Sequence, residues 1–421
     1  MAIHVVLAGE NLWEISTQTG VPIQTIINNN GLASTALVPG LALYLPDTTQ
    51  QIRLYRVKAG DQLWRIAQQF QTTTSSLLTA NPGIDPDRLN VGQIIHIPTP
   101  LKLQINTLGF IVPSPGGALP AILNSIAGQL TFLAIVAYSF TVEGYAYNEI
   151  DDTALVARSK QLNIAPLLMI RNFSNGNFSP ELAGRVLGNP TYRRNLVASI
   201  TNLTRQRGFA GVSIDFEFIP PPNRNDFNVF LTDLKRELGN LILQVNVHAK
   251  TEDMPTNRIV GAYDYGAIGR AADIVAVMTI DYGYPGGPPE PIAPITWMEE
   301  VIQYAVTQIP AQKLQIAMAL YGYDKVVGTN ATQAMSVLTA QNHAISTGTP
   351  IQFDMISQSP WYRYWVGGVE HDVWFEDIRS YVEKYHLIDI YGLLGTTFWQ
   401  IILPAPQNWL YLRDNILVLK R

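Results

Sequence analysis

The chain has 421 residues, of which 47% are apolar and 14% charged, with a net charge of −5 and no cysteine. That length predicts two or more domains, and the low charge content excludes long disordered tails. The missing cysteines exclude disulfides, cysteine-ligated zinc and thiol catalysis. With no Lys/Arg stripe, nothing points to nucleic acid or an anionic membrane as partner.

In chain order, Met1 to Glu10 carries no basic stretch, and its apolar run is too short for a signal peptide. No run of about 18 apolar residues predicts a membrane span, so a soluble, mature chain is expected. An internal repeat follows. Ala8-Gly9-Glu10-Asn11-Leu12-Trp13-Glu14-Ile15-Ser16 returns as Ala59-Gly60-Asp61-Gln62-Leu63-Trp64-Arg65-Ile66-Ala67, with Asn30 opposite Asn81, Gly40 opposite Gly92 and Leu45-Pro46 opposite Ile97-Pro98. Each copy predicts a short strand (Ile3–Leu7, Leu54–Lys58) and a Gly-acidic turn that opens an amphipathic helix. A second helix ends near Asn28–Asn30 or Leu77–Asn81, and a closing strand follows (Leu41–Leu45, Ile94–Ile97). Leu12, Ile15, Leu63 and Ile66 fall at helical spacing and predict the core faces.

This βααβ pattern resembles the LysM module, and the resemblance implies binding of glycans that contain N-acetylglucosamine. It places glycan contacts at Gly9, Glu10 and Asn30 in the first copy and at Gly60, Asp61 and Asn81 in the second. The expected boundaries are 1–47 and 53–99, joined by a polar linker at Asp47–Arg53, with Thr99-Pro100 stiffening the junction to the rest.

From Lys102 onward strands alternate with helices. Strands are predicted at Gln104–Val112, Thr131–Tyr138, Ile164–Ile170, Val212–Glu217, Ile242–Val247, Ile274–Thr279, Leu314–Ala319 and Leu393–Phe398. Helical patterns lie at Tyr192–Arg207, Asp226–Leu238, Trp297–Gln308 and Trp374–Tyr385. Eight strands in roughly 320 residues fit an α/β (β/α)8 TIM barrel over 101–421, with an α+β insertion at about 321–372 between strands seven and eight. Such a barrel has its own core, so a chain beginning near Pro100 is expected to fold alone.

The fourth strand carries the chemistry. In Gly211-Val212-Ser213-Ile214-Asp215-Phe216-Glu217, alternation puts Ser213, Asp215 and Glu217 on one face and Val212, Ile214 and Phe216 on the other. The apolar face suits the helix layer, which turns the carboxylates into the barrel. Two buried carboxyls two residues apart can share a proton, and one becomes a donor near neutral pH. Glu217 is expected as the last residue of the strand, where barrels keep their chemistry, and Pro220-Pro221-Pro222 fixes the next loop.

The segment resembles the D-G-x-D-x-D-x-E signature of family 18 glycoside hydrolases, with Ala210 and Ser213 in place of the first two acids. Met278-Thr279-Ile280-Asp281-Tyr282 resembles the family's M-x-Y-D stretch, and Phe398-Trp399 resembles the Trp that closes the eighth strand. With the paired LysM copies, the chain resembles the spore cortex-lytic N-acetylglucosaminidases of Bacillus-type organisms.

That resemblance implies a retaining, substrate-assisted reaction. Glu217 is implied as acid and base, Asp215 as the group that orients the substrate's acetamide, and Trp399 as the floor beneath the sugar. Ser213, Met278, Asp281, Tyr282 and Tyr321 complete the implied substrate-binding set. Ile280 stands where the family has a Tyr that donates to the acetamide carbonyl, and Tyr282 or Tyr321 is expected to replace that donor. Non-proline cis peptides are implied at Trp399–Gln400 first and Ser139–Phe140 second.

The six histidines form no metal-ligand spacing, so neither metal nor cofactor is expected. His248, at the end of the fifth strand, is within reach of the cleft but reads first as a satisfied core residue, and Gly283–Pro289 reads as a rigid surface loop near the active site with no phosphate-binding pattern. The expected partner is peptidoglycan or a chitin-like glycan, the expected state a monomer, and the expected place the spore cortex or coat region. A chitinase and a non-catalytic wall-binding lectin are the alternatives left open.

Overall fold

The structure, a computed structural model, describes residues 2–46, 51–113 and 119–421. Nearly unbroken apolar runs such as Phe132–Phe140 and Leu314–Ala319 are buried along their whole length, as strands covered on both faces must be. Eight strands pair in parallel and in chain order: Leu103–Ile111, Phe132–Phe140, Ala165–Arg171, Gly211–Asp215, Ile242–His248, Ile274–Met278, Leu314–Ala319 and Gly395–Trp399. The eighth pairs with the first and closes the barrel.

Helices ring the barrel with apolar stripes turned inward. Arg224–Leu238 buries Phe227, Phe230, Leu231, Leu234 and Leu238, a helical spacing that makes one face. Phe216, one residue past the fourth strand and on its outer side, stacks on Phe230 at 5.5 Å and lies tilted against Phe227 at 6.1 Å. Alternation therefore turns Ser213 and Asp215 inward.

The insertion between strands seven and eight is an antiparallel sheet of Tyr321–Val326, Thr332–Ser336, Gln352–Asp354, Ser359–Val366 and Val369–Trp374, with the helix Val337–Thr347 against it. The helix expected at Trp374–Tyr385 begins later, at Ile378, and runs to Tyr391. Trp374 instead ends the last insertion strand, paired with Tyr323 and Trp361. Asp377 sets the true start, because its side chain accepts from the N–H groups of Arg379 and Ser380.

Each LysM copy folds as strand, two helices and strand. The first comprises Ala2–Val5, Leu12–Thr19, Ile23–Asn30 and Ala42–Leu45, and the second Ile52–Arg56, Leu63–Gln69, Thr74–Ala80 and Ile94–Pro98. Residues 47–50 of the expected linker lie outside the described residues. The second copy has its own core of Leu63, Ile66, Phe70, Leu77, Ile95 and Ile97, and it meets the barrel through Arg53, which grips both carboxylate oxygens of Asp389 at 2.6 Å.

The first copy is built in more deeply. Leu12, Ile15, Ile26, Leu41, Leu43 and Leu45 share one apolar cluster with Ala340, Ala344, Ile345, Ile351, Tyr362 and Phe375 of the insertion and its flank. Gly40 has φ +82°, and a Cβ there would lie 1.8 Å from the Ile351 carbonyl oxygen, so only glycine allows this approach. The barrel has the core expected of it, joined at its edge by Ala42 and Tyr44 of the first copy, whereas the insertion shares its core with that copy.

Candidate active site

Glu217 sits at the C-terminal mouth of the barrel, two residues beyond the end of its strand at Asp215 rather than on the last strand residue. The ladder stops because the chain turns, with Phe218 at φ +54°. Side chains then replace the sheet. The amide of buried Asn172 accepts from the Glu217 N–H at 2.8 Å and donates to the Glu217 carbonyl at 2.8 Å. The Tyr263 hydroxyl donates to the Phe216 carbonyl at 2.7 Å. Three backbone groups that have left the ladder thus find partners, and Glu217 is held by its own peptide.

Below it runs a polar ladder inside the barrel. The Ser213 hydroxyl donates to Gln244, whose amide donates to Asn246 at 2.7 Å, and Asn246 donates to Asp215 at 3.2 Å. Ser213 is fully buried and spent on this ladder, so it is a support for Asp215 and not a substrate contact as expected. Asp215 is buried, and its carboxyl is pushed up to about 8 by that burial and by the charge of Glu217, against the pull of Asn246 and Arg171.

Beside this pair, Asp281 has φ +58° at the turn after the sixth strand. One of its oxygens accepts from the hydroxyls of Tyr321 at 2.6 Å and Tyr323 at 2.7 Å. Burial raises the Asp281 carboxyl, the two hydroxyls oppose this, and the charge of Glu217 adds to it. Ile280 packs with Tyr321, Tyr323, Ala319 and Trp399. Tyr282 is 43% exposed and leans on Trp297 with ring centroids 5.3 Å apart. Met278, half-buried, ends the sixth strand opposite His248.

Trp399 ends the eighth strand, half-buried, 5.6 Å from the Phe110 ring. Trp399–Gln400 is a cis peptide, whereas Ser139–Phe140 is not among the cis bonds of the structure, contrary to the second expectation.

Asn172, Tyr263, Asn246 and Tyr323 join the site although the sequence alone does not single them out, and His248 takes the cleft position rather than the core one. His248 Nε2 lies 3.2 Å from Glu217 Oε2. A signal for the fifth-strand residues was present, since Gln244, Asn246 and His248 alternate as Ser213, Asp215 and Glu217 do. Asn172 and Tyr263 sit beyond strand ends with no pattern to mark them.

The polar LysM residues expected as glycan contacts are hydrogen-bonded within their own modules. Asn30 is fully buried, donating to the carbonyls of Ile26 and Tyr44 and accepting from the Tyr44 N–H. Asn81 brackets His96 in the same way. Glu10 accepts from Leu7 N–H and contacts His4, while Asp61 accepts from Lys58 N–H and the Tyr55 hydroxyl. These side chains are consumed in closing the modules. Gly9 and Gly60 have φ near +87° and open space around them, so they make the turn. The exposed aromatics at matched positions are Trp13, 66% exposed, and Trp64, 54% exposed.

Among the described residues, no cluster of His, Asp or Glu could hold a metal ion, and no helix is long and apolar enough to cross a membrane. What the geometry offers is a fixed carboxyl at the mouth, a second buried below it, and a third braced by two hydroxyls.

Known proteins share this arrangement of domains. The LysM domain model matches residues 4–46 and 55–98. A cortical fragment-lytic enzyme of Bacillus cereus is 32% identical over 430 residues, covering 100% of this chain and 99% of its own. The crystal structure of the Bacillus cereus spore cortex-lytic enzyme SleL superposes with a TM-score of 0.87 at 32% identity, covering 100% of this chain and 98% of that one. The Bacillus megaterium QM B1551 spore cortex-lytic enzyme SleL gives 0.83 at 30% identity, covering 100% and 99%. The model for glycosyl hydrolases family 18 matches residues 132–402, and the chain belongs to that family.

Proposed function

We propose that this glycoside hydrolase cleaves the glycan of spore-cortex peptidoglycan, or fragments of it, at N-acetylglucosamine, acting as a spore-associated monomer. The observation that carries the reading is Glu217 fixed at the barrel mouth directly above a buried Asp215 with a raised carboxyl. The similarity to cortical fragment-lytic enzymes along the full chain supports the substrate.

In this reading Glu217 protonates the glycosidic oxygen, and the carbonyl oxygen of the substrate's own acetamide attacks the anomeric carbon. Glu217, now a carboxylate, then takes a proton from the water that opens the oxazolinium ring. Asp215 supplies charge where the reaction needs it. Its ionised form is costly in the empty barrel, but positive charge developing on the acetamide favours it. That attraction grows toward the transition state, which is what accelerates the step. When the substrate binds, one of the two hydroxyls that donate to Asp281, Tyr321 or Tyr323, turns to the acetamide carbonyl and supplies the donor that Ile280 lacks, while the other stays on Asp281. Trp399 forms the apolar floor of the sugar site, Met278 and Tyr282 line its rim, and the LysM pair holds the insoluble glycan.

Release of new reducing ends from purified cortex fragments, measured beside chitin oligomers, tests the substrate. Faster release from cortex fragments is expected. Equal or faster cleavage of chitin oligomers would overturn the assignment, and no cleavage of either would favour a wall-binding lectin.

A further inference from the structure

His248 ends the fifth barrel strand, with its ring between Phe218, 5.5 Å away, and Tyr263, 5.6 Å away. Its carbonyl accepts from the Tyr265 hydroxyl at 2.6 Å, which fixes the residue's backbone. Nε2 is buried and has no hydrogen-bond partner among the described residues. It stands 3.2 Å from Glu217 Oε2, both side chains being about one-fifth exposed at 21% and 17%, yet out of line for a hydrogen bond. A buried ring nitrogen without a partner is costly, and a small rotation of either side chain would give it one. Contacts of this kind commonly tighten when substrate binds.

We infer that His248 is a positioning residue for Glu217: Nε2 holds one oxygen of that carboxyl, and the two groups exchange a single proton. The inference rests on the reading of Glu217 as acid and base. The exchange moves one proton from Oε2 to Nε2, leaving carboxylate and imidazolium, and returns it with no other bond changed. Only the neutral imidazole leaves the proton on Glu217. An imidazolium 3.2 Å away favours the carboxylate and withdraws the acid from the leaving oxygen.

The neighbouring charges come from every element around the ring. Asp215 lies on the fourth strand below Glu217, and Asp281, after the sixth, acts on both Glu217 and His248. Lys250 is turned away, donating to the Tyr263 carbonyl and Asp253. Arg171 faces Asp215 and Glu149. Tyr263 and Tyr265 stay neutral phenols, raised by burial. Among these the cationic side chains are Arg171, paired with Glu149, and Lys250, so the charges facing the Glu217–His248 pair are the carboxyls of Asp215 and Asp281.

The test is the pH profile of kcat/KM for the full chain on soluble cortex fragments, for wild type, H248Q and E217Q. H248Q should keep roughly a tenth of the wild-type kcat with KM within about twofold. Its acid-side limb should move by at least about half a pH unit to lower pH, because the imidazolium can no longer form. E217Q should be inactive across the range. If H248Q is slower but its profile has the wild-type shape, or if rate and profile are both unchanged, the inference is overturned. Near-normal E217Q activity would instead remove the reading of Glu217, whatever H248Q does. Should H248Q fail to fold, NMR of labelled histidine decides the matter: in E217Q the His248 midpoint should fall by at least about half a unit, and an unmoved midpoint overturns the inference.

Discussion

Asp215 is where the cost of this site is concentrated. A carboxyl with no solvent and a carboxylate neighbour is destabilising once ionised, and the Asn246 amide offsets only part of that. Because its folded-state affinity for a proton exceeds that in the unfolded chain, the sign of the linkage is fixed. Its contribution to stability is present at low pH and is lost as pH rises from about 4, the ordinary carboxyl value, through about 8. D215N should therefore melt a few degrees higher than wild type at pH 8 to 9, with no difference near pH 4. Its kcat should fall by about 10² or more. Thermal melts across pH check the first expectation, and a stabilisation that does not depend on pH would contradict the account of Asp215.

At the scale of elements, the barrel brings parts from separate segments to one buried carboxyl, which the proposed mechanism uses to hold the acetamide. The sixth strand brings Asp281, and the first strand of the insertion brings Tyr321 and Tyr323, whose hydroxyls meet on one oxygen of that carboxylate. The donor absent at Ile280 is thus expected from the insertion. Y321F should lower kcat by roughly tenfold to a hundredfold with a small effect on KM, whereas Y282F should change kcat by less than about twofold, since Tyr282 is exposed against Trp297. The reverse order in steady-state kinetics would return the role to Tyr282.

The barrel strands were legible because burial on both faces leaves apolar runs, and Glu217 was legible because period two sorts carboxylates from Val212, Ile214 and Phe216. Asn172 and Tyr323 were not, because they act across elements distant in sequence, where no local period applies. Asn30 misled for a related reason. A polar residue repeated as Asn81 looks like a ligand contact, yet both repeats need the same clamp between second helix and closing strand.

In the molecule as a whole, the first LysM module is a structural part of the catalytic unit. Besides the shared apolar cluster, Gln407 donates to Asn30 at 2.8 Å and to the Ala42 carbonyl at 2.8 Å, and Gln341 donates to the Asn30 carbonyl at 2.9 Å. Removing the module uncovers Ala340, Ala344, Ile345 and Ile351 and strands those amides. A chain beginning at Pro100 should therefore melt roughly 5 °C or more below the full chain and adhere less to insoluble cortex. An equal melting temperature would show that the shared cluster contributes little. In the proposed reaction Glu217, held by Asn172 at the barrel mouth, is both acid and base. Turnover of soluble cortex fragments by E217Q tests it most directly. A loss of at least about 10³-fold with cortex binding intact is predicted, and turnover near that of the wild type would contradict it.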